Sequence, residues 1–467
     1  MNFSSIDTSI TEYGAGTIRL VRDESGKRFL SVSENIKELT GDVAPNVYQL
    51  TPENAVWMRA QFPWLNPQPL GIKTSAGVGD RLGVATEGHL RAFKETNIAP
   101  ILAQQSVREL IRTHRTAQIV MDDAMWGVFE AGWREPWGGD ADHLKTTEHM
   151  REYFDAGFTS FTIDPGEHVV NITALSAEEI GNLFDQFNFS DFGIDPAALL
   201  ARYETHPASL DFLSSSPADV KRAITKYGKA ILFVTKMYFE LRGWMAGKEF
   251  DFEVSVDETD DPTTPFEHYL IANELKRLGV KWNSLAPRFI GRFEKGVDYQ
   301  GDLNLFEQEY KRHAAVQKHF DSYKISLHSG SDKFSIYKIC AESSDYMVHL
   351  KTAGTSYLEA IRVIAQVDPD LFRKIYAISL DHYETDKQSY HVSAQTARMP
   401  KLADLSDDQL PALLDHFDAR QALHVCFGTI LDAHKAEIMA DLYRNHELYS
   451  EGLRRHFDKH LVDFVRP

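Results

Sequence analysis

A chain of 467 residues can bury a large core, as one enlarged domain or as a few smaller ones. Its 43% apolar and 25% charged content is that of an ordinary globular protein, and a formal net charge of -18 argues against a phosphate-backbone partner, which needs clustered lysine and arginine. The two cysteines, Cys340 and Cys426, leave no disulfide framework and no cysteine-based zinc site, so any metal must rest on His, Asp and Glu.

The first residues carry no basic segment followed by an apolar run, and no stretch approaches the roughly 18 apolar residues of a membrane span. The expectation is a cytoplasmic protein with neither a membrane nor a nucleic-acid partner. Residues 1–70 read as an appendage. Residues 17–22 and 28–32 flank Asp23-Glu24-Ser25-Gly26-Lys27 as a β-hairpin, and Thr51-Pro52-Glu53-Asn54 opens a short helix with threonine as its cap.

From residue 71 short strand-like runs alternate with helical stretches. The strand candidates are residues 69–75, 99–105 (a region that 117–121 extends), the stretch Gly138-Gly139-Asp140-Ala141-Asp142-His143-Leu144-Lys145-Thr146, and 158–168, then 250–258, 280–285, 323–328 and 345–354. Residues 190–248 are mostly helical, and 381–467 form a C-terminal helical region. Phe250-Asp251-Phe252-Glu253-Val254-Ser255-Val256-Asp257 alternates with period two, and its acidic face suits a polar interior better than a helix layer. Nearly every candidate ends in polar residues and glycine. A (β/α)₈ barrel places its active-site groups at the C-terminal strand ends, whereas a doubly wound sheet predicts a single glycine-rich phosphate loop. The reading is therefore a (β/α)₈ TIM-type barrel over 71–380, with the N-terminal hairpin appendage, a helical insertion near 190–248 and a C-terminal helical extension.

Closing that barrel brings distant residues together. Asp142 and His143 end the third strand, residues 253–258 occupy the fifth, His328 ends the seventh and His349 sits in the eighth. Two or three of the imidazoles His143, His328 and His349, with a nearby carboxylate, make an open site for a divalent cation such as Zn, Mn, Ni or Co. His168, also at a strand end, is the alternative to His349. Ser329 and Ser331 belong to a small loop suited to holding an oxyanion, and Lys145, Arg288, Lys324 and Lys351 lie where a substrate carboxylate needs cations. Gly77-Val78-Gly79 lacks the full dinucleotide pattern, so no NAD is expected.

Asp142-His143-Leu144-Lys145, residues 253–258 and Leu327-His328-Ser329-Gly330-Ser331 resemble the Asp-His, acidic and His-Gly-Gly-Ser signatures of class II metal-dependent aldolases. The chain departs at the sixth strand, where those aldolases supply a metal histidine and Trp282-Asn283-Ser284-Leu285 has none. The third ligand thus stays open among His349, His168 and a carboxylate. Over most of its length the chain is similar to the bacterial tagaturonate/fructuronate epimerase family. The stretches that carry this are Glu130-Ala131-Gly132-Trp133-Arg134-Glu135-Pro136-Trp137, Asp257-Glu258-Thr259-Asp260-Asp261-Pro262-Thr263-Thr264-Pro265, Ser326-Leu327-His328-Ser329-Gly330-Ser331-Asp332-Lys333-Phe334 and His349-Leu350-Lys351-Thr352-Ala353-Gly354-Thr355.

The resemblance implies a metal-dependent isomerase of hexuronate catabolism that inverts C4 of a keto-hexuronate, D-tagaturonate to D-fructuronate, by retro-aldol chemistry. Asp142 is then the base at the C4 hydroxyl, and Glu258, with Asp257 behind it, returns the proton. The alternatives are a class II-type aldolase on a sugar acid and a non-catalytic sugar-acid binding protein. A homo-oligomer is compatible with each.

Overall fold

The computed structural model describes residues 2–213 and 215–466. Its N-terminal strands β1 (Ser4–Tyr13), β2 (Gly16–Arg22), β3 (Arg28–Val32), β4 (Asp42–Ala44) and β5 (Val47–Tyr48) form one antiparallel sheet in the order β1-β2-β3-β5-β4. The expected hairpin is β2–β3, and the sheet extends it on both sides.

Eight parallel strands follow and close on themselves: β6 (Ser75–Gly77), β7 (Ala99–Ser106), β8 (Gly138–Leu144), β9 (Ser160–Ile163), β10 (Asp251–Ser255), β11 (Ser284–Ala286), β12 (Lys324–Leu327) and β13 (Val348–Lys351), with β13 pairing back to β6. The fold is the expected (β/α)₈ barrel. The register sets Asp142 opposite Ser106, Glu253 opposite both Thr162 and Ser284, and Lys351 opposite Gly77. Since side chains alternate along a strand, this register turns the polar set of each strand inward and the apolar set toward the surrounding helices.

Two local expectations shift. The first barrel strand begins at Ser75, not at 69, because the backbone N–H groups of Leu70 and Gly71 donate to the Asp251 carboxylate (2.6 and 3.0 Å) at the start of β10. Residues 117–121 belong to the helix Ala117–Ala131, capped by the Thr116 side chain and ended by Gly132 at a left-handed φ of 63°. The apolar run is continuous because that helix is buried on most sides.

The helical insertion lies between β9 and β10. Its longest member, Pro217–Met245, opens on a Ser216–Asp219 capping box and buries Val220, Ile224, Tyr227, Ile231, Val234, Tyr238 and Leu241, the spacing of one helical face. The C-terminal helices fold back onto the barrel's own helices. His446–Leu461 packs on Thr86–Phe93, where a Cβ on Gly88 would lie 2.8 Å from Leu453 and from the Ser450 backbone, so only glycine permits that approach. No helix among the described residues is long and apolar enough to cross a membrane.

Many buried histidines are held neutral by desolvation. Burial pushes His89 down to about 4, and His313 and His349 down to about 3. His268, His424, His456 and His460 shift in the same direction. These imidazoles take up protons near pH 6.5 in the unfolded chain but not in the folded one. The unfolded state therefore binds more protons, and stability falls as pH drops from about 6.5 toward 4. A depression of one pH unit is worth about 1.4 kcal/mol. His143 and His328, and the buried carboxyls of Asp123 and Asp140, both pushed up to about 6 by burial, act in the opposite sense but are fewer than the depressed imidazoles. The urea midpoint should fall steeply across that window; a flat midpoint would contradict the burial of these rings as neutral bases.

Candidate active site

The ends of β8, β10 and β12 build the centre. His143 has a left-handed φ of 56°, which turns its ring over the barrel mouth; such backbone is uncommon outside glycine and clusters at functional sites. Its Nδ1 lies 2.7 Å from Asp142 Oδ1, leaving Nε2 facing Asp257 Oδ1 at 3.8 Å. His328 is the mirror case. Its Nε2 lies 2.6 Å from Glu253 Oε1, and its Nδ1 lies 2.9 Å from Asp257 Oδ1. Each imidazole is thus gripped on one nitrogen by its own carboxylate while the other nitrogen faces a shared point beside Asp257. This is how proteins orient metal-binding histidines. The candidate donor atoms of His143, Asp257 and His328 lie within 4.8 Å of one another.

Electrostatics point the same way. Burial alone would raise the Asp257 carboxyl, but His328 and His143 outweigh it and hold it well below its ordinary range. Burial would lower both imidazoles, yet Asp142 raises His143 and Asp257 with Glu253 raises His328. A field that draws a proton to each ring draws a divalent cation for the same reason. Two nitrogens and one oxygen, with room for substrate, fit a catalytic Zn, Mn, Co or Ni ion.

Beneath the pair lies a dry charge cluster. Lys351 Nζ sits 2.8 Å from Asp140, 2.8 Å from Asp142 and 2.9 Å from Glu253, and donates to Thr162 Oγ1 at 2.7 Å. Burial opposes its charge, but the three carboxylates hold its pKa well above the lysine value. Three expectations change here. Lys351 is neutralised from below and is not a cation for the substrate carboxylate. Asp142 Oδ1 is shared between His143 and Lys351, and these outweigh burial to hold its carboxyl well below the ordinary range, so it is committed to orienting His143 and does not stand free in the cavity as the base expected of it. His349 lies two residues below Lys351 on β13, its Nδ1 3.0 Å from Ser75 Oγ, and it does not join His143 and His328. The alternative, His168, is exposed and stacks on Phe233 with ring centroids 4.3 Å apart. The oxygen that does lie with the two imidazoles is that of Asp257, expected as the reserve proton donor, which makes it the carboxylate candidate for the open third position.

Above the centre opens a cavity of about 350 Å³, lined by Arg108, Glu258, Arg288, Lys295, Ser329 and Tyr390 together with Asp257 and His328. Glu258 is 41% exposed, and its Oε2 lies 3.9 Å from Lys145 Nζ, which also pairs with Asp164 at 3.3 Å. Arg288 makes no ion pair among the described residues, and its buried Nε has no partner. The Arg108 guanidinium lies over the Tyr390 ring at 4.8 Å. Ser329, at φ 48°, accepts from Lys295 Nζ at 2.7 Å. Ser331 is buried and turned away from the cavity, its Oγ accepting the Ala353 N–H at 3.2 Å, so it shapes the loop and does not meet substrate. Residues 390–393 line the cavity too, so the C-terminal region helps to build the site.

A second group, Asp332 with His456 and His460, is already committed. His460 Nε2 accepts the Asp332 N–H at 3.0 Å, and Asp332 Oδ2 takes Arg420 at 2.8 Å. It pins the last long helix onto the loop that follows His328.

Comparison with known proteins gives the family. The family model for tagaturonate epimerases matches residues 7–464. The chain belongs to the tagaturonate epimerase family. It is 42% identical over 459 residues to the tagaturonate/fructuronate epimerase of Thermotoga maritima, covering 98% of this chain and 94% of that one. The native crystal structure of the fructuronate-tagaturonate epimerase from Cohnella laeviribosi superimposes with a TM-score of 0.94 at 36% identity, over 99% of this chain and 96% of that one. A glycerol-complexed structure of the same Cohnella enzyme gives a TM-score of 0.93 at 36% identity, with the same coverage.

Proposed function

We propose that this family member interconverts D-tagaturonate and D-fructuronate by inverting C4, with a divalent metal held by His143, Asp257 and His328. The names of its relatives support the substrate pair, and the observation that carries the metal is the pair of imidazoles, each held by its own carboxylate, facing Asp257. The C4 hydrogen is β to the C2 ketone and not acidic, so removing it is poor chemistry. The C3–C4 bond, by contrast, is placed for retro-aldol cleavage. A bound divalent ion would act there as a Lewis acid on the C2 carbonyl.

The remaining work falls to this chain's own residues. Arg288, with Arg108 beside it, holds the C6 carboxylate, since a guanidinium suits planar bidentate binding of that group. Glu258 takes the proton from the C4 hydroxyl; it lines the cavity and stays open to solvent for proton exchange. The C3–C4 electron pair moves toward C2, the aldehyde carbon turns, and the bond re-forms on its other face.

Chelation should abolish turnover, and a divalent transition ion should restore it without added NAD. Substrate deuterated at C4 should give product that keeps the label, because this route never breaks the C4–H bond. Full activity in metal-stripped protein would remove the Lewis-acid argument, washout of the label would indicate proton-transfer epimerisation, and accumulation of three-carbon fragments would indicate an aldolase.

A further inference from the structure

The loop after β11 carries a lysine into the cavity that no carboxylate claims. Lys295 makes no ion pair among the described residues, and its Nζ donates to Ser329 Oγ at 2.7 Å where both line the cavity beside Asp257, Glu258 and His328. Of the buried lysines, Lys351 is held by three carboxylates, Lys333 by three backbone carbonyls and Lys226 by Glu267. Lys324, which also makes no ion pair among the described residues, donates to Ser75 Oγ at 2.8 Å in the barrel interior and does not line the cavity. The loop that presents Lys295 is tightly fixed. Lys333 binds the carbonyls of Glu294 and Val297, Arg420 binds that of Gly296 at 2.7 Å, and Gln421 reaches the Glu294 carboxylate at 3.0 Å. Even a half-buried ammonium without a counter-ion is costly, so an amine kept in this way on a rigid frame at the cavity wall calls for a use. Burial and then Arg108 pull it below lysine's ordinary range, against Glu258, Asp257 and Asp142.

Inversion by turning the aldehyde creates a need for such a group. When the aldehyde carbon shows its other face, its oxygen has left the place where Glu258 took the proton, and the new alkoxide must be protonated elsewhere. Resting on the epimerase reading above, we infer that Lys295, acting through the Ser329 hydroxyl, is the second proton carrier at O4. As C3–C4 re-forms and leaves an alkoxide on O4, the Ser329 O–H gives its proton to O4 while the Lys295 ammonium gives one to Ser329 Oγ. A neutral amine remains, Glu258 keeps the proton it took, and exchange with solvent resets both. In the reverse direction the neutral amine draws the proton from O4 through Ser329, and Glu258 returns one.

A charge-only role, as a further clamp on the substrate carboxylate, makes a different prediction. Arginine keeps the charge but does not release a proton near neutral pH. Lys295→Arg and Lys295→Met should both lose about 10²–10⁴ in kcat, the usual worth of a general acid–base group, with metal content unchanged and with KM near wild type in the arginine variant. Ser329→Ala should lower kcat in the same direction. Turnover of Lys295→Arg within a few-fold of wild type, or a Lys295→Met defect confined to KM, overturns the assignment, and an undiminished Ser329→Ala overturns the relay. In those cases wild-type protein still interconverts the two keto-acids. Wild-type protein inactive on both would instead refute the epimerase reading, and the inference with it.

Discussion

His143→Ala and His328→Ala should each remain folded, lose bound divalent metal and lose turnover with it. The fold survives because the partners left behind stay satisfied. Asp142 keeps Lys351, and Glu253 keeps Lys351 and the Ser284 hydroxyl. The metal does not survive, because each variant leaves one imidazole and Asp257 where an open catalytic site needs three protein donors. Loss of an outer-shell partner typically costs about 10–100-fold in affinity, and loss of a ligand should exceed that. Elemental analysis of purified variants checks the result. Wild-type metal content in both would remove His143 and His328 from the centre, whatever happened to activity.

The barrel was legible because its interior is polar. A barrel filled with branched apolar residues gives strands that read as continuous hydrophobic runs, hard to tell from buried helix. Here Asp140 and Asp142, then Asp251, Glu253 and Ser255, then His349 and Lys351 alternate with apolar residues and mark both the strands and the face that points inward. The run at 117–121 lacked that alternation and lies in a buried helix. The run at 69–75 had strand composition, yet its amides are spent on Asp251, a contact across 180 residues of chain that no local pattern reveals.

Depth along the barrel axis was the quantity that stayed hidden. Period-two alternation says which residues face in, and it says nothing about how high each one sits. His349 and Lys351 share the inward face with the residues of the proposed metal site but lie lower, where Ser75 and the acidic cluster use them up. Asp257 extends the alternation 251, 253, 255 beyond the end of β10, and following that parity upward would have placed it beside His143 and His328. Lys295 and Arg108 carried no such signal. One lies in an irregular loop and the other in the first turn of the helix Val107–Thr113, and only closure of the barrel brings them together.

Lys351→Met should be the most destabilising single change in the barrel interior. Methionine nearly matches the volume of the side chain but leaves Asp140, Asp142 and Glu253 facing one another without their common cation, all within a few per cent of full burial. Removing one partner of a buried charge pair costs about 3–5 kcal/mol, because the other charge is left uncompensated. The sign of the pH dependence identifies the cause. With Lys351 present, Asp142 and Glu253 are held well below their ordinary range, and the stability this gives is present above the unfolded carboxylate pKa and lost as pH falls through the folded one. Without Lys351 the crowded carboxyls are pushed up, so the folded variant binds more protons than its unfolded chain and loses stability as pH rises. The gap between wild type and Lys351→Met should therefore be widest near neutral pH and narrow toward about pH 4, where unfolded carboxylates also protonate. Urea denaturation of both proteins across that range measures it. A gap that is small, or that stays constant with pH, would mean that Lys351 is not what allows three acids to share the floor of the active site.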